Sequence, residues 1–361
     1  MSRVITYQPE TEPEAAGGTP PPGEDVFREM LAARSFNAAI IPSRPIPILR
    51  LGDHTISTPG NLTNIQAPAK AGKSAVVAAI IAAMFNGGRE EADTLGFSAT
   101  NLEEKAVIHF DTEQSRYDHD GLIRRAMSRA RVESPPVWFH SFCLTDLSTA
   151  NREIAIETAI EQFAEEHGGI FAIIIDGVAD ICRDPNNPEE SFALVDKLHA
   201  TAIQNDCAIL TVLHENPGSD SGKMRGHLGS QLERKAETPL RLAKAANGIT
   251  TVWCDRARHC HIPKEQGSCF QWSDIQGMHI SCGDAGEIKR KETLEKARTE
   301  AAKVFENAPS YRHGELITAI RKALEVSDGT AKNRYRTWKL EGIITQSESE
   351  TYHLTNPGNH A

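Results

Sequence analysis

Several things are scarce in this chain of 361 residues. No apolar run approaches the ~20 residues that a membrane-spanning helix needs. The opening MSRVITYQPETEPEAAGGTPPPGED holds no apolar segment of the kind that begins a secretory signal. The expectation is a cytoplasmic protein that does not enter a membrane. Seven cysteines, an odd number in a long chain without an export signal, argue for free thiols and against a disulfide framework. Cys254, Cys260, Cys269 and Cys282 lie among His259, His261 and His279. The two paired spacings of a structural zinc site, C-x₂₋₄-C or H-x₃₋₅-H, are missing there. Positive charge is also short, with 39 Lys and Arg against 49 Asp and Glu and a net charge of −10. That excludes a surface that coats nucleic acid indiscriminately, so any contact with DNA must be local. No internal repeat is visible.

What is present suits one large domain and a smaller one, since single cores stop growing at roughly 250–300 residues. Residues 1–24, rich in Pro, Gly, Glu and Thr, hold too few large apolar groups to offset the entropy of ordering them, and read as a disordered tail. From residue 25 to 285 the pattern is globular. A short helix at VFREMLAARSF precedes β-like pieces at PIPILRLGD and TNIQA, and apolar runs then recur as KAVIHFD, PVWFHSF, FAIIIDGVADI and CAILTVLHE. Between them lie amphipathic stretches such as REIAIETAIEQFAEEH and SFALVDKLHATAIQND. Continuous Val/Ile/Leu runs alternating with amphipathic helices predict an α/β core with a mainly parallel sheet covered on both faces. GITTVWCDRAR and SCFQWSD read as a late hairpin, residues 286–309 as a charged linking helix, and residues 310–361 as a separate C-terminal unit.

The chemistry starts at APAKAGKS, residues 67–74. In the phosphate-loop pattern GxxxxGK[ST], Gly72, Lys73 and Ser74 fall in place, with a strand before and the helix SAVVAAIIAAMF after. Ala67, Pro68, Ala69, Lys70, Ala71, Gly72 and Ala75 would line the cradle for the phosphates of ATP, with the backbone N–H groups at the helix N-terminus donating to them. Lys73 would reach the β- and γ-oxygens and Ser74 would hold Mg²⁺. Ala67 stands where the pattern has its first glycine; it suffices if the backbone there needs no positive φ. A second partner is Asp176, at the carboxyl end of the run IFAIIID, where a carboxylate can reach the same Mg²⁺ through water.

Gly177 follows Asp176, so the water-activating glutamate is not next to it; AVIHFDTEQS instead places Glu113 at the end of the strand after the phosphate-loop helix. With these residues the chain resembles the RecA/DnaB-type ATPases, and more closely the RepA-type hexameric helicases of plasmids, from about residue 40 to about residue 275. The resemblance implies that Glu113 polarises the attacking water. It implies that His214, ending CAILTVLH, is the polar sensor of the γ-phosphate, and that Lys223, Arg225 and His227 line a DNA-binding loop beyond it. It also implies that Arg256 and Arg258 project into a neighbouring subunit's nucleotide, which makes the active unit a homo-oligomeric ring, a hexamer in that family.

In the C-terminal unit, a helix at GELITAIRKALE, a turn, a second helix at TAKNRYRTWKLEG and a hairpin-like IITQSESETYHL follow one another. That order resembles a winged helix-turn-helix, with Lys332, Arg334, Arg336 and Lys339 on the helix that would enter duplex DNA. Docking of a protein is the alternative for that helix. The reading as a whole is an ATP- and Mg²⁺-dependent motor acting on DNA, a replicative helicase of a plasmid or mobile element. A recombinase-like filament protein, a nucleotide-switched regulator, and an initiator or repressor in which ATP sets only assembly are the alternatives.

Overall fold

The computed structural model describes residues 24–87, 92–215 and 226–355. The tail expected over residues 1–24 therefore lies, apart from Glu24, outside the described residues. The chain divides into a unit ending at Arg44 and a unit beginning at Pro45. The first contains α1 (Glu24–Ala33), which exposes Phe27, Met30 and Leu31.

The second unit opens with β1 (Leu49–Leu51) and β2 (His54–Ser57), an antiparallel pair, followed by β3 (Asn61–Ala67) and α2 (Lys73–Asn86). β4 (Phe97–Ser98) completes a small sheet in the order β2-β1-β4. Strands and helices then alternate: β5 (Ala106–Asp111), α3 (Arg116–Ala130), β6 (Phe139–Cys143), α4 (Thr149–Glu166), β7 (Ile170–Asp176), α5 (Pro188–Gln204), β8 (Ala208–His214) and α6 (Gly226–Lys235). Ser115, Ser148 and Asn187 start α3, α4 and α5 by accepting hydrogen bonds from first-turn N–H groups, and Pro188 occupies a first-turn position of α5, where no N–H is needed. β9 (Thr238–Lys244), β10 (Thr250–Trp253), β11 (Ser268–Ser273) and β12 (Met278–Asp284) follow.

The main sheet runs β12-β11-β10-β9-β3-β8-β7-β5-β6. The strands from β9 to β6 are parallel, and β10, β11 and β12 are added antiparallel. Successive residues of the central strands face opposite sides: Val107, Ile174 and Leu210 pack with α2 and α3, whereas Ile108, Ile173 and Ile209 pack with α4, α5 and α6. Burial on both faces is why these strands read as unbroken apolar runs. Helix α2 is apolar all round and buried on every side, the sign of a helix sunk in the core.

The C-terminal part holds α7 (Ala285–Phe305), β13 (Tyr311–Arg312), α8 (His313–Leu324), α9 (Asp328–Leu340), β14 (Ile344–Gln346) and β15 (Thr351–Leu354), with a sheet in the order β13-β15-β14. Its core gathers Leu316, Ile320, Trp338 and Tyr352 together with Ala297, Ala301 and Val304 of α7. The stretch expected to be a charged linker thus supplies one wall of this core through small side chains spaced by about one turn.

Candidate nucleotide site

The carboxyl ends of four adjacent parallel strands meet at one edge of the main sheet, which is where open α/β sheets hold ligands. The parallel register sets Ala67 opposite His214, and Asp176 opposite Asp111 on one side and Val212 on the other. Residues distant in sequence therefore converge because their strands end together.

The loop after β3 answers the question of the missing glycine. Ala67 is the last, fully buried residue of an extended strand, while the left-handed conformations fall at Lys70 (φ 63) and Gly72 (φ 96). Alanine at 67 is no obstacle. Gly72 does need to lack a side chain: it caps α2 at positive φ, and a Cβ there would stand 2.9 Å from Cε2 of Phe270. Pro68 and Ala69 are exposed in the loop, whereas Ala71 and Ala75 are buried beneath it.

Lys73 Nζ donates to Nδ1 of His214 at 2.8 Å and points to the carbonyls of Pro68 at 3.4 Å and Ala67 at 3.5 Å. An ammonium only donates, so His214 Nδ1 accepts, and the proton of this ring sits on Nε2. From there it is donated to Oε2 of Glu113 at 2.8 Å. Lys73, His214 and Glu113 are thus one chain of hydrogen bonds. Burial pulls the Lys73 ammonium below its ordinary range, while Glu113, Asp176 and Glu215 act to raise it.

Glu113 stands on a turn that the sequence alone does not reveal. Asp111 Oδ1 accepts from the N–H groups of Glu113 (3.1 Å) and Gln114 (2.9 Å), and its Oδ2 meets His119 Nδ1 at 3.2 Å. His119 Nε2 and His109 Nδ1 both face Ser141 Oγ, at 3.2 Å and 2.9 Å. Burial opposes the charge on Asp111, but the His119 bond and the two N–H groups hold its carboxyl below the usual range. Burial drives His109 down to about 3. Gly177 (φ 95) completes the turn: a Cβ on it would lie 2.3 Å from Thr112 Oγ1 and 2.5 Å from Glu113 Cγ. A glycine follows Asp176 because Glu113 occupies the space a side chain would need.

Asp176 is 3 % exposed, and burial together with the charges of Asp111 and Glu113 pushes its carboxyl up to about 7. Lys73 and the amide of Gln114, 3.2 Å from Oδ2, offset this only in part. A buried carboxylate short of positive charge and a serine hydroxyl lining the same cavity make a hard-oxygen donor set of the kind Mg²⁺ takes, so the residues present fit that ion, which Ser74 and Asp176 would hold.

These groups line a cavity of about 430 Å³, whose other wall is Arg125 and Arg129 of α3, Lys244, Trp272 and His279. None of that wall was singled out as a nucleotide contact from sequence; α3, β9 and β12 carry much of it. Among the described residues, Arg256 and Arg258 do not line the cavity. Both are exposed beyond β10, and Arg258 donates to the Lys235 carbonyl at 3.2 Å and reaches Asn61 Oδ1 at 3.5 Å. His227 is exposed in the first turn of α6; Lys223 and Arg225 lie outside the described residues. On α9, Lys332 pairs with Asp328 at 2.9 Å and Arg334 with Glu300 of α7 at 2.9 Å, Lys339 lies 6.0 Å from the Tyr352 ring, and Arg336 is exposed. The seven cysteines are free thiols.

A glycine-capped loop with its lysine, a carboxylate two strands away and a histidine at the end of the strand between them, all on a mainly parallel sheet, define a nucleotide-binding P-loop ATPase of the AAA/RecA-like class. The chain belongs to the AAA domain family, whose profile matches residues 19–220 and so includes Lys73, Glu113, Asp176 and His214. No curated protein matches the chain. No helix among the described residues is long and apolar enough to cross a membrane.

Proposed function

We propose that the protein is a Mg²⁺-dependent ATPase that works as a homo-oligomeric ring on DNA, a replicative helicase of RepA type. The observation that carries this reading is the hydrogen-bonded chain Lys73–His214–Glu113. One residue, His214, touches both the group that binds the γ-phosphate and the group that activates water, and the segment holding Lys223 and Arg225 follows it in sequence. A change at the phosphate is therefore passed to that segment through a single side chain.

In the reaction, Lys73 binds the β- and γ-oxygens and leaves His214 as it does so. Glu113, freed from the imidazole, accepts the proton of the attacking water. Asp111 and His119 keep the turn under Glu113 in place. Mg²⁺, held through Ser74 and Asp176, supplies neutralisation of charge on the phosphate oxygens. Arg256 and Arg258 sit on an exposed loop, where a group serving a neighbouring subunit has to be. The order α7-β13-α8-α9-β14-β15 supports a winged helix-turn-helix for the C-terminal part.

For that part a second reading, a protein-docking module, is favoured by one observation. Lys332, Arg334 and Lys339 already have partners within the chain, which leaves less charge for phosphates than the sequence suggests. ATP turnover measured with and without single-stranded DNA, together with the mass of the ATP-bound assembly and a strand-displacement assay, tests the whole. Stimulation by single strands in a ring-sized assembly that separates duplexes is expected. A monomer indifferent to DNA would overturn the motor and leave a nucleotide-switched regulator.

A further inference from the structure

We propose that Trp272, braced edge-on by His279 across the β11–β12 hairpin, is the platform on which the nucleobase of the bound nucleotide stacks, so that the base is held by its face. This rests on the reading of the cavity as an ATP site: with the phosphates on the loop at 70–74, the base lies against the opposite wall.

Four tryptophans occur in the chain, and Trp138, Trp253 and Trp338 are buried, at 7 %, 8 % and 0 % exposure. Trp272 is 51 % exposed and lines the cavity. A large ring left in water on the wall of a polar cavity is what a flat ligand would cover. Its Nε1 donates to Asp274 at 2.8 Å, which fixes the indole and uses its only polar atom. His279, its cross-strand partner, stands edge-on at 5.4 Å, and Phe270 stands edge-on to His279 at 5.4 Å. Phe270 is the ring pressed against Gly72. Three rings therefore run from the phosphate loop to Trp272.

The platform is set before a ligand arrives. Buried Arg129 donates to the carbonyl of Asp93 at 2.9 Å and to that of His279, and the Asp93 carboxylate accepts from Ser281 N at 2.8 Å and Oγ at 2.6 Å. These bonds tie the hairpin to α3 and to the residues before β4. Burial, with Arg129, Lys244 and Arg125 nearby, lowers the His279 pKa, so the ring that braces the indole is neutral. At this end the charged side chains that line the cavity, Arg125, Arg129 and Lys244, only donate. Among the described residues lining this wall, the side-chain acceptor is the unprotonated ring nitrogen of His279, which belongs to the ring that braces Trp272. Stacking tolerates any base, so adenine and guanine nucleotides should bind within about tenfold of each other.

The test follows Trp272 emission and calorimetric binding in the full chain, with ATP, GTP and inorganic tripolyphosphate, each as a non-hydrolysable form where needed. Both nucleotides should quench emission, and tripolyphosphate should bind without quenching. Trp272→Ala should weaken ATP binding by about 5- to 150-fold, the worth of one stacked base, and leave tripolyphosphate binding unchanged. Trp272→Phe should recover most of the loss, and unchanged tripolyphosphate binding certifies that the variants are folded. ATP that binds without altering emission, with Trp272→Ala binding it normally, overturns the platform while sparing the ATP site. Quenching of Trp272 by a single-stranded oligonucleotide, and not by a nucleotide, overturns it as well. Failure of ATP and tripolyphosphate alike to bind removes the ATP site itself, and the platform with it.

Discussion

Asp176→Asn should make the nucleotide-free protein more stable while abolishing its ATPase activity. In the native chain this carboxyl is moved from its ordinary 3.8 to about 7 by burial and by Asp111 and Glu113. A difference of that size makes the ionised form dearer by about 4 kcal/mol. Between those two pH values the folded protein holds a proton that the unfolded chain has released, so this group's effect is to lower stability as pH rises from about 4 to about 7, with a plateau above. Asparagine has nearly the same shape, keeps an acceptor for Gln114 and carries no charge. With roughly half of the cost relieved by relaxation and water entry, the variant should gain about 2 kcal/mol above neutrality, or about 4–8 °C in Tm. Thermal melts of both proteins in chelator, at steps from about pH 5 to about pH 8, measure the gap, which should widen with pH. Magnesium and nucleotide should close it by stabilising only the wild type. Parallel melting curves across the whole range, or a variant that melts lower at the alkaline end, would refute the view that Asp176 is a carboxylate waiting for a cation.

Three further outcomes are expected. Gly177→Ala, forced to positive φ against Thr112 and Glu113, should cost about 1–3 kcal/mol in stability and depress kcat far more than ATP affinity, because it displaces the candidate base and not a phosphate contact; equal losses in kcat and affinity speak against it. Arg258→Ala should bind ATP normally yet turn over about 10³–10⁵-fold more slowly, and mixing it with Lys73→Ala subunits, which keep their arginines, should restore activity; no rescue in a confirmed assembly rules out an arginine supplied between subunits. Lys332→Ala with Arg336→Ala, two exposed cations of α9, should flatten the salt dependence of duplex binding by about two counterions without touching basal ATPase; an unchanged slope by fluorescence anisotropy assigns the C-terminal part to protein docking.

The parallel core was legible because strands buried on both faces leave continuous apolar runs, and the loop at 67–74 because its spacing is local. Three elements near the site were not legible. α3 is rich in charge and buries only His119, Leu122, Ala126, Arg129 and Ala130, so no apolar stripe marks it. β9 contains Pro239, which argues against an interior strand; the ladder from β10 ends at Arg241, so on that side the proline is not asked for an N–H. β12 is half exposed along its length and has little apolar signature. The residues that position Glu113 are hidden for another reason: Asp111, His119, Ser141 and Gly177 belong to four segments and meet only through the register of β5, β6 and β7. The packing of α7 was missed because its buried residues are two alanines and a valine in a run that otherwise reads as charge.

The contact between Gly72 and Phe270 has a mechanical side. Phe270 belongs to β11, β11 pairs along its length with β12, and β12 ends at Asp284 where α7 begins at the next residue, with the Asp284 side chain capping its first turn. No slack intervenes. A helix of 21 residues is a rod of about 30 Å, so a tilt of a few degrees at its root moves its tip by about 2–3 Å. The phosphate loop thus holds the short arm of a lever, and the C-terminal core, built partly on the rod itself, rides on the long one.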